Sequence, residues 1–164
     1  MLVAAPVPAI TSAAMDKKQE TPDEGITRYP GKVLGFDTET TGISPASDHI
    51  LTMAIVEHAA DGTETVTSWV INPGDDIEIP EASVEVHGLT REFITENGVP
   101  PAQALGELLE ILKQASRDNT PVVGHNVSFD LTMLLANLRR AGVAQELPWF
   151  PVLDTIVLDR QAEK

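Results

Sequence analysis

Asp37 and Glu39 stand two residues apart in the stretch Phe36-Asp37-Thr38-Glu39-Thr40-Thr41-Gly42, directly behind the apolar run Val33-Leu34-Gly35-Phe36. If Lys32 to Thr38 is a strand that continues through Glu39, its two-residue period sets both carboxylates on one face, side by side. The apolar run before them and the Thr-Thr-Gly turn after them place the pair at the end of a buried strand. Two anions held that close repel, and a bound divalent cation is the usual way to keep both ionised. An exposed strand end with two solvated acids has the same spacing, so the stretch taken alone leaves both readings open. A further acid, Asp130, closes the segment Val123-Gly124-His125-Asn126-Val127-Ser128-Phe129-Asp130. Ser128 is expected to cap a helix running to about Arg140, which puts Asp130 in the first turn, where the helix dipole favours an ionised carboxylate. An ordinary first-turn acid that only supports its helix fits that position as well.

The elements that must position these acids read as a mixed α/β arrangement. After the first strand, Asp48 to His58 has apolar residues on both faces, as in a central strand. Asp61-Gly62 marks a hairpin turn and Glu64 to Ile71 a third strand, giving an antiparallel meander. Short helices are expected over Glu81–Val86, behind Pro80, and over Arg91–Glu96, capped by Thr90. A longer helix over Pro101–Ala115 carries the stripe Ala102, Leu105, Leu108, Leu109 and Leu112. Val122-Val123 is a short buried strand, Leu131, Leu134, Leu135 and Leu138 face inward from the next helix, and Gly142 ends it. A last strand near Pro151–Leu153 leads through Asp154-Thr155 into the first turns of a helix. Trp69 and Trp149 are expected to pack in the core or at an edge, and His49 and His58 to face solvent. Residues 1–29, apolar and Pro-interrupted at first and then polar, are expected to form a flexible tail, with one domain over 30–164.

The formal net charge of -14, from 25 acidic and 11 basic residues, is the opposite of the basic footprint with which proteins grip nucleic acid through their surface field. Any phosphate binding must then be local and metal-assisted. The absence of cysteine excludes disulfides and thiolate chemistry. No run of about 18 apolar residues exists to span a membrane, and the first residues lack the basic start of a signal peptide. A cytoplasmic location is the expectation.

The segments Asp37-Thr38-Glu39-Thr40-Thr41-Gly42 and His125-Asn126-Val127-Ser128-Phe129-Asp130 resemble, in order and separation, the first two motifs of the DnaQ-like 3′-to-5′ exonucleases, the DEDDh family, which includes the DNA polymerase III epsilon subunit. Val86-His87-Gly88-Leu89-Thr90 resembles that family's helix-turn after the third strand, and Asp154-Thr155 its strand-to-helix junction; the likeness runs from about Gly31 to Lys164. The resemblance implies an RNase H-like fold: a mixed sheet with flanking helices and four acids that hold a pair of Mg²⁺ or Mn²⁺ ions, with a His as general base. Asp37 would then bridge the ions, Glu39 would contact one and orient the attacking water, and Asp130 would hold the other. Hard oxygen donors and the lack of cysteine agree with Mg²⁺ or Mn²⁺ over Zn²⁺. By the same resemblance, the backbone around Thr38, Thr40, Thr41 and Gly42 would meet the terminal nucleotide. Asn126 is a further candidate substrate contact, His87 reads as a turn residue or a lining of the groove, and Phe129 either packs the core or approaches a terminal base. The implied partner is a nucleic acid with a free 3′ end, DNA before RNA, with a polymerase as a possible associate.

The third motif of that family, a His followed five positions later by an Asp, has no counterpart up to Lys164, and no His follows His125. Asp154 is expected to bond nearby backbone and Asp159 to sit on a solvated helix face, so the reading is of a domain truncated at its C-terminus that binds metal weakly and cleaves slowly or not at all. A catalytically incomplete binding module for a polymerase or another enzyme is the alternative. A phosphatase-type aspartyl nucleophile at Asp37 fits less well, because Glu39 stands where that chemistry wants Asp and no suitable Lys and acidic pair follows.

Overall fold

The computed structural model describes residues 31–162; the tail expected over 1–29 lies outside them. The elements run β1 (Val33–Thr40), β2 (Ile50–His58), β3 (Glu64–Val70), α1 (Glu81–His87), α2 (Arg91–Asn97), α3 (Pro101–Asp118), β4 (Val122–Gly124), α4 (Val127–Arg140), β5 (Val152–Asp154) and α5 (Thr155–Ala162). They build one five-stranded sheet in the order β3-β2-β1-β4-β5. The first three strands form the expected antiparallel meander, and β4 and β5 join parallel to β1. The hairpin turns where Gly62 takes φ 88°, a conformation that costs glycine little, and Asp61 accepts the Thr63 N–H at 2.9 Å. Lying between β2 and β4, β1 is the middle strand, and its last residues carry Asp37 and Glu39.

The main core joins Leu34 and Phe36 of β1, Met53 and Ile55 of β2 and Val122 of β4 to Leu105, Leu108 and Leu112 of α3 and Met133, Leu134 and Leu138 of α4. Burying each such side chain contributes about 1.5–3 kcal/mol, so this cluster is what fixes α4, and Asp130 with it, against β1. A smaller cluster of Leu51, Val70, Leu89 and Ile94 holds α2.

Several local expectations need correction. Helix α4 begins one residue before Ser128: Asn126 is its N-cap in the left-handed conformation, φ 58°, with no side-chain cap bond. Asn adopts that conformation more readily than most residues. Helix α3 runs on to Asp118, because Asn119 at φ 54° terminates it as a glycine would, and Thr120 returns its N–H to Ala115. In its apolar stripe Ala104 and Ala115 are buried while Ala102 is exposed. Trp69 is buried, its indole N–H donating to Glu107 at 2.8 Å, but Trp149 is 73% exposed because the adjacent Phe150 takes the core position. His49 is half-buried, and burial followed by the Arg140 guanidinium lowers its pKa.

The loop between β1 and β2 is tied down from the far end of α4. Buried Asn137 accepts the Ile50 N–H at 3.3 Å and donates to the Met133 and Asp48 carbonyls. Arg140 donates to the carbonyls of Pro45, Ala46 and Asp48. Asn137→Leu strands the Ile50 N–H without a partner, and an unsatisfied buried group costs about 1–3 kcal/mol. The expected outcome is a loss of that size in urea unfolding, with the hairpin beyond β2 unaffected.

Candidate metal and nucleic-acid site

Alternation along β1 turns Leu34 and Phe36 into the core and leaves Asp37 and Glu39 together on the opposite face, Asp37 exposed and Glu39 partly buried. Thr38, between them, points the other way and donates its hydroxyl to Asp130 Oδ1 at 2.6 Å. That bond joins the end of β1 to the first turn of α4 and brings the third acid beside the first two. It depends on Gly124, where an added Cβ would lie 2.8 Å from the Phe36 carbonyl oxygen and 2.9 Å from the Val127 side chain. Nothing in the spacing of residues announced this close approach, although a glycine at the end of a short strand is the signal that points to it.

The three carboxylates feel one another. Glu39 has a raised pKa, from burial first, then from Asp37 and Asp130. Asp130, 5% exposed, is also raised, by burial first, with Asp37 adding to it and the Thr38 hydroxyl opposing. The sequence led us to expect the helix dipole to favour an ionised Asp130; burial acts in the opposite direction and raises its pKa. Oxygen donors that repel one another in a partly dry site are the donor chemistry of a hard divalent cation, which removes the repulsion that raises them. Among the described residues no three acids or histidines are gathered tightly enough to grip an ion as they stand.

The turn behind β1 uses its hydroxyls on itself. Thr40 donates to the Gly42 carbonyl at 2.6 Å, and buried Thr41 donates to Asp48 and accepts the His49 N–H. A Cβ at Gly42 would lie 2.6 Å from the Asp48 carboxylate, so a larger residue there would push Asp48 against its bonds to Thr41 and Ser44. His87, at the end of α1, accepts the Leu89 N–H on Nδ1 at 3.0 Å, so its neutral ring carries the proton on Nε2. That Nε2 is buried and has no partner among the described residues, and burial lowers the ring's pKa against a smaller opposing effect of the Thr40 backbone. Asn126 is exposed and gives its N–H to Asp154 Oδ1 at 2.8 Å, and His125 Nδ1 is hydrogen-bonded to Thr155 Oγ1 at 2.9 Å. Asp154 also accepts the Ile156 N–H, the backbone role expected of it. Phe129 is half-buried against the core. The structure thus bonds Thr38 to Asp130, places Glu39 within electrostatic reach of Asp37 and Asp130, sets Thr40 to Gly42 behind them, and leaves His125 tied to the neighbouring junction.

Known proteins of three kinds are similar to this chain. The RNase_T family model, described as Exonuclease, matches residues 34–164. The PolC-type DNA polymerase III of Latilactobacillus sakei is 35% identical over 125 residues, 76% of this chain but 8% of the polymerase. Ribonuclease T of Hahella chejuensis is 28% identical over 160 residues, 88% of this chain and 72% of that protein. The chain therefore spans a small fraction of the polymerases and most of the ribonuclease. Among solved structures, the metal-free E. coli exonuclease I complex with single-stranded DNA superposes with a TM-score of 0.70 at 19% identity, over 81% of this chain and 30% of that one. The zinc-bound form of that complex superposes with a TM-score of 0.68 at 18% identity, over the same 81% and 30%. At that identity the superposition speaks for the fold, which is RNase H-like, and the family match speaks for descent. With the paired acids of β1, the first-turn acid of α4 and the intervening helix-turn in matching order, this chain belongs to the DnaQ-like exonuclease family.

Proposed function

We propose that this domain, which carries the first two of the family's three motifs, serves a 3′-to-5′ exonuclease that hydrolyses phosphodiester bonds one nucleotide at a time from the 3′ end of single-stranded DNA, in a proofreading or repair role. The observation that carries this reading is the meeting of Asp37, Glu39 and Asp130 where β1 ends against α4, with Thr38 bonded to Asp130. These three are the residues that would hold a pair of Mg²⁺ or Mn²⁺ ions. Bound there, such ions supply charge stabilisation at the attacking and leaving oxygens of an in-line displacement at phosphorus.

The chain's own groups divide the remaining work. Glu39, partly desolvated, orients the attacking water. Thr38 holds Asp130 in one rotamer against β1, so the site does not wait for that side chain to be ordered. With the Thr40 and Thr41 hydroxyls engaged within the turn, the backbone of Thr38 to Gly42 is left to receive the terminal nucleotide. His87, Asn126 and Phe129 border that position. A strongly acidic surface disfavours long nucleic-acid contacts, which suits an enzyme that holds only a strand end. DNA is favoured over RNA by the polymerase relatives and by the exonuclease I–DNA complex; ribonuclease T supports the opposite choice. The same polymerase relatives make a replicative polymerase the proposed partner.

The test uses one oligonucleotide sequence as DNA and as RNA, labelled at the 3′ or the 5′ end, with Mg²⁺, Mn²⁺ or EDTA. Labelled mononucleotide from the 3′-labelled DNA at the earliest times, gradual shortening of the 5′-labelled strand and silence in EDTA are expected. Internal cuts would overturn the exonuclease reading. Tight strand-end binding with no release would support the binding module instead.

A further inference from the structure

Among the described residues, the outer edge of the sheet at β3 is open from Glu64 to Ser68. Ile71 donates its N–H to the Leu51 carbonyl, which sets the phase of the β2–β3 ladder: Thr65, Thr67 and Trp69 bond to β2, and Glu64, Val66, Ser68 and Val70 turn their N–H and C=O groups outward. At the Val70 end the edge is covered, because Val99 donates to the Val70 carbonyl and accepts the Asn72 N–H. From Glu64 to Ser68 no partner among the described residues takes the outward groups. These residues are exposed on both faces, Val66 at 65%, so neither sheet face is covered by a helix there. Free edges are ordinarily blunted by Lys, Pro or a bulge. The strand Glu-Thr-Val-Thr-Ser-Trp-Val contains no Lys or Pro, and its register against β2 is unbroken.

We propose that this edge pairs with the same edge of a second copy of the chain, antiparallel and centred on Val66. A two-fold axis at Val66 sets that residue opposite its own copy, Glu64 opposite Ser68 and Thr65 opposite Thr67. Every outward-facing residue of one strand then meets an outward-facing residue of the other, so Glu64, Val66 and Ser68 each exchange both backbone bonds across the axis. The side-chain pairs are compatible: valine with valine, threonine with threonine, and a carboxylate with a hydroxyl, with no like charges directly opposite. The ladder stops where Val99 takes over the edge, which defines a short, isologous interface. Because the whole chain carries a net charge of -14, association strengthens as salt screens the repulsion between copies.

Sedimentation across a concentration series, at low and at physiological ionic strength, measures the association. Val66→Pro is the discriminating variant: the N–H it removes points outward, so the β2–β3 hairpin keeps its bonds while the centre of the new ladder loses both of its own. A dimer in the unaltered protein, tightened by salt, and a dimer Kd at least about tenfold weaker in Val66→Pro are expected. An unaltered protein that stays monomeric, or a Val66→Pro dimer as tight as the original, overturns the proposal. The register has its own test, because the chain has no cysteine. Val66→Cys is expected to oxidise to a covalent dimer, since directly opposed residues bring Cα atoms within disulfide reach, about 5.5 Å. Glu64→Cys, four residues from its own copy along the strand and so about 14 Å away, is expected not to. Cross-linking of Glu64→Cys but not Val66→Cys would overturn the register.

Discussion

Asp37→Asn should abolish cation-dependent release of 3′-terminal nucleotides while leaving the fold intact. Asp37 is exposed at the end of β1 and packs no core, so its amide replacement changes charge and little else. The amide keeps one oxygen but loses the negative charge that a cation needs beside Glu39 and Asp130. Removing one charge-stabilising group from an active site costs about a hundredfold to a thousandfold in rate, and a loss in that range is expected here. Initial rates on 3′-labelled single-stranded DNA, in the protein that carries this domain, measure the loss, and unchanged circular dichroism shows that the sheet has formed. Wild-type rates in this variant would remove Asp37 from the mechanism.

The second large effect is on stability. Glu39 is raised by burial, Asp37 and Asp130, all in the same direction. For an acid whose pKa is higher folded than unfolded, the stabilising contribution is present below the unfolded value and is lost as pH rises through the folded one. At neutral pH the ion-free protein therefore carries an electrostatic cost at this site. Glu39→Gln removes it. The ion-free variant is expected to be more stable than the parent at neutral pH, by up to about 1 kcal/mol after allowance for solvent screening, with the gain vanishing toward pH 4. Adding Mg²⁺ or Mn²⁺ should reverse the ranking, because a ligand at a hundredfold excess over its Kd stabilises by about 2.7 kcal/mol and the variant binds it poorly. The cation's effect should itself fade in acid, where the carboxylates take protons instead. Thermal melts with and without the ions, at neutral and acid pH, read all of this without any assay of activity. A variant no more stable than the parent in EDTA would show that the three carboxylates do not strain the fold.

The period-two placement of Asp37 and Glu39 was legible because the first residues of β1 alternate, with Leu34 and Phe36 buried and their neighbours not, a local property of the strand. The meander was legible for the same reason, with Asp61-Gly62 marking its turn. Boundaries set by side chains standing in for glycine were not: Asn119 and Asn126 both adopt left-handed conformations, and a reading that waits for Gly or a Ser cap places these helix ends wrongly. Nothing in the local pattern singles out Asn137 and Arg140, yet they hold the loop behind the acids through bonds to Asp48 and its neighbours.

From its residues alone the chain determined the class of the fold and the family resemblance, and it nominated the three acids, since each rests on short-range pattern and on order along the chain. Whether Asp130 joins the other two was decided only in three dimensions. Thr38 and Asp130 are 92 positions apart; they meet because β4 lies parallel beside β1 and Gly124 lets α4 begin against the Phe36 carbonyl. The upward push on the pKa of Asp130 belongs there too: a helix dipole can be read from sequence, but the burial that raises the carboxyl is a property of the packed site. The open edge at β3 is of the same kind: its residues were visible as a strand, but which of their backbone groups face outward depends on the phase of hydrogen bonding to β2.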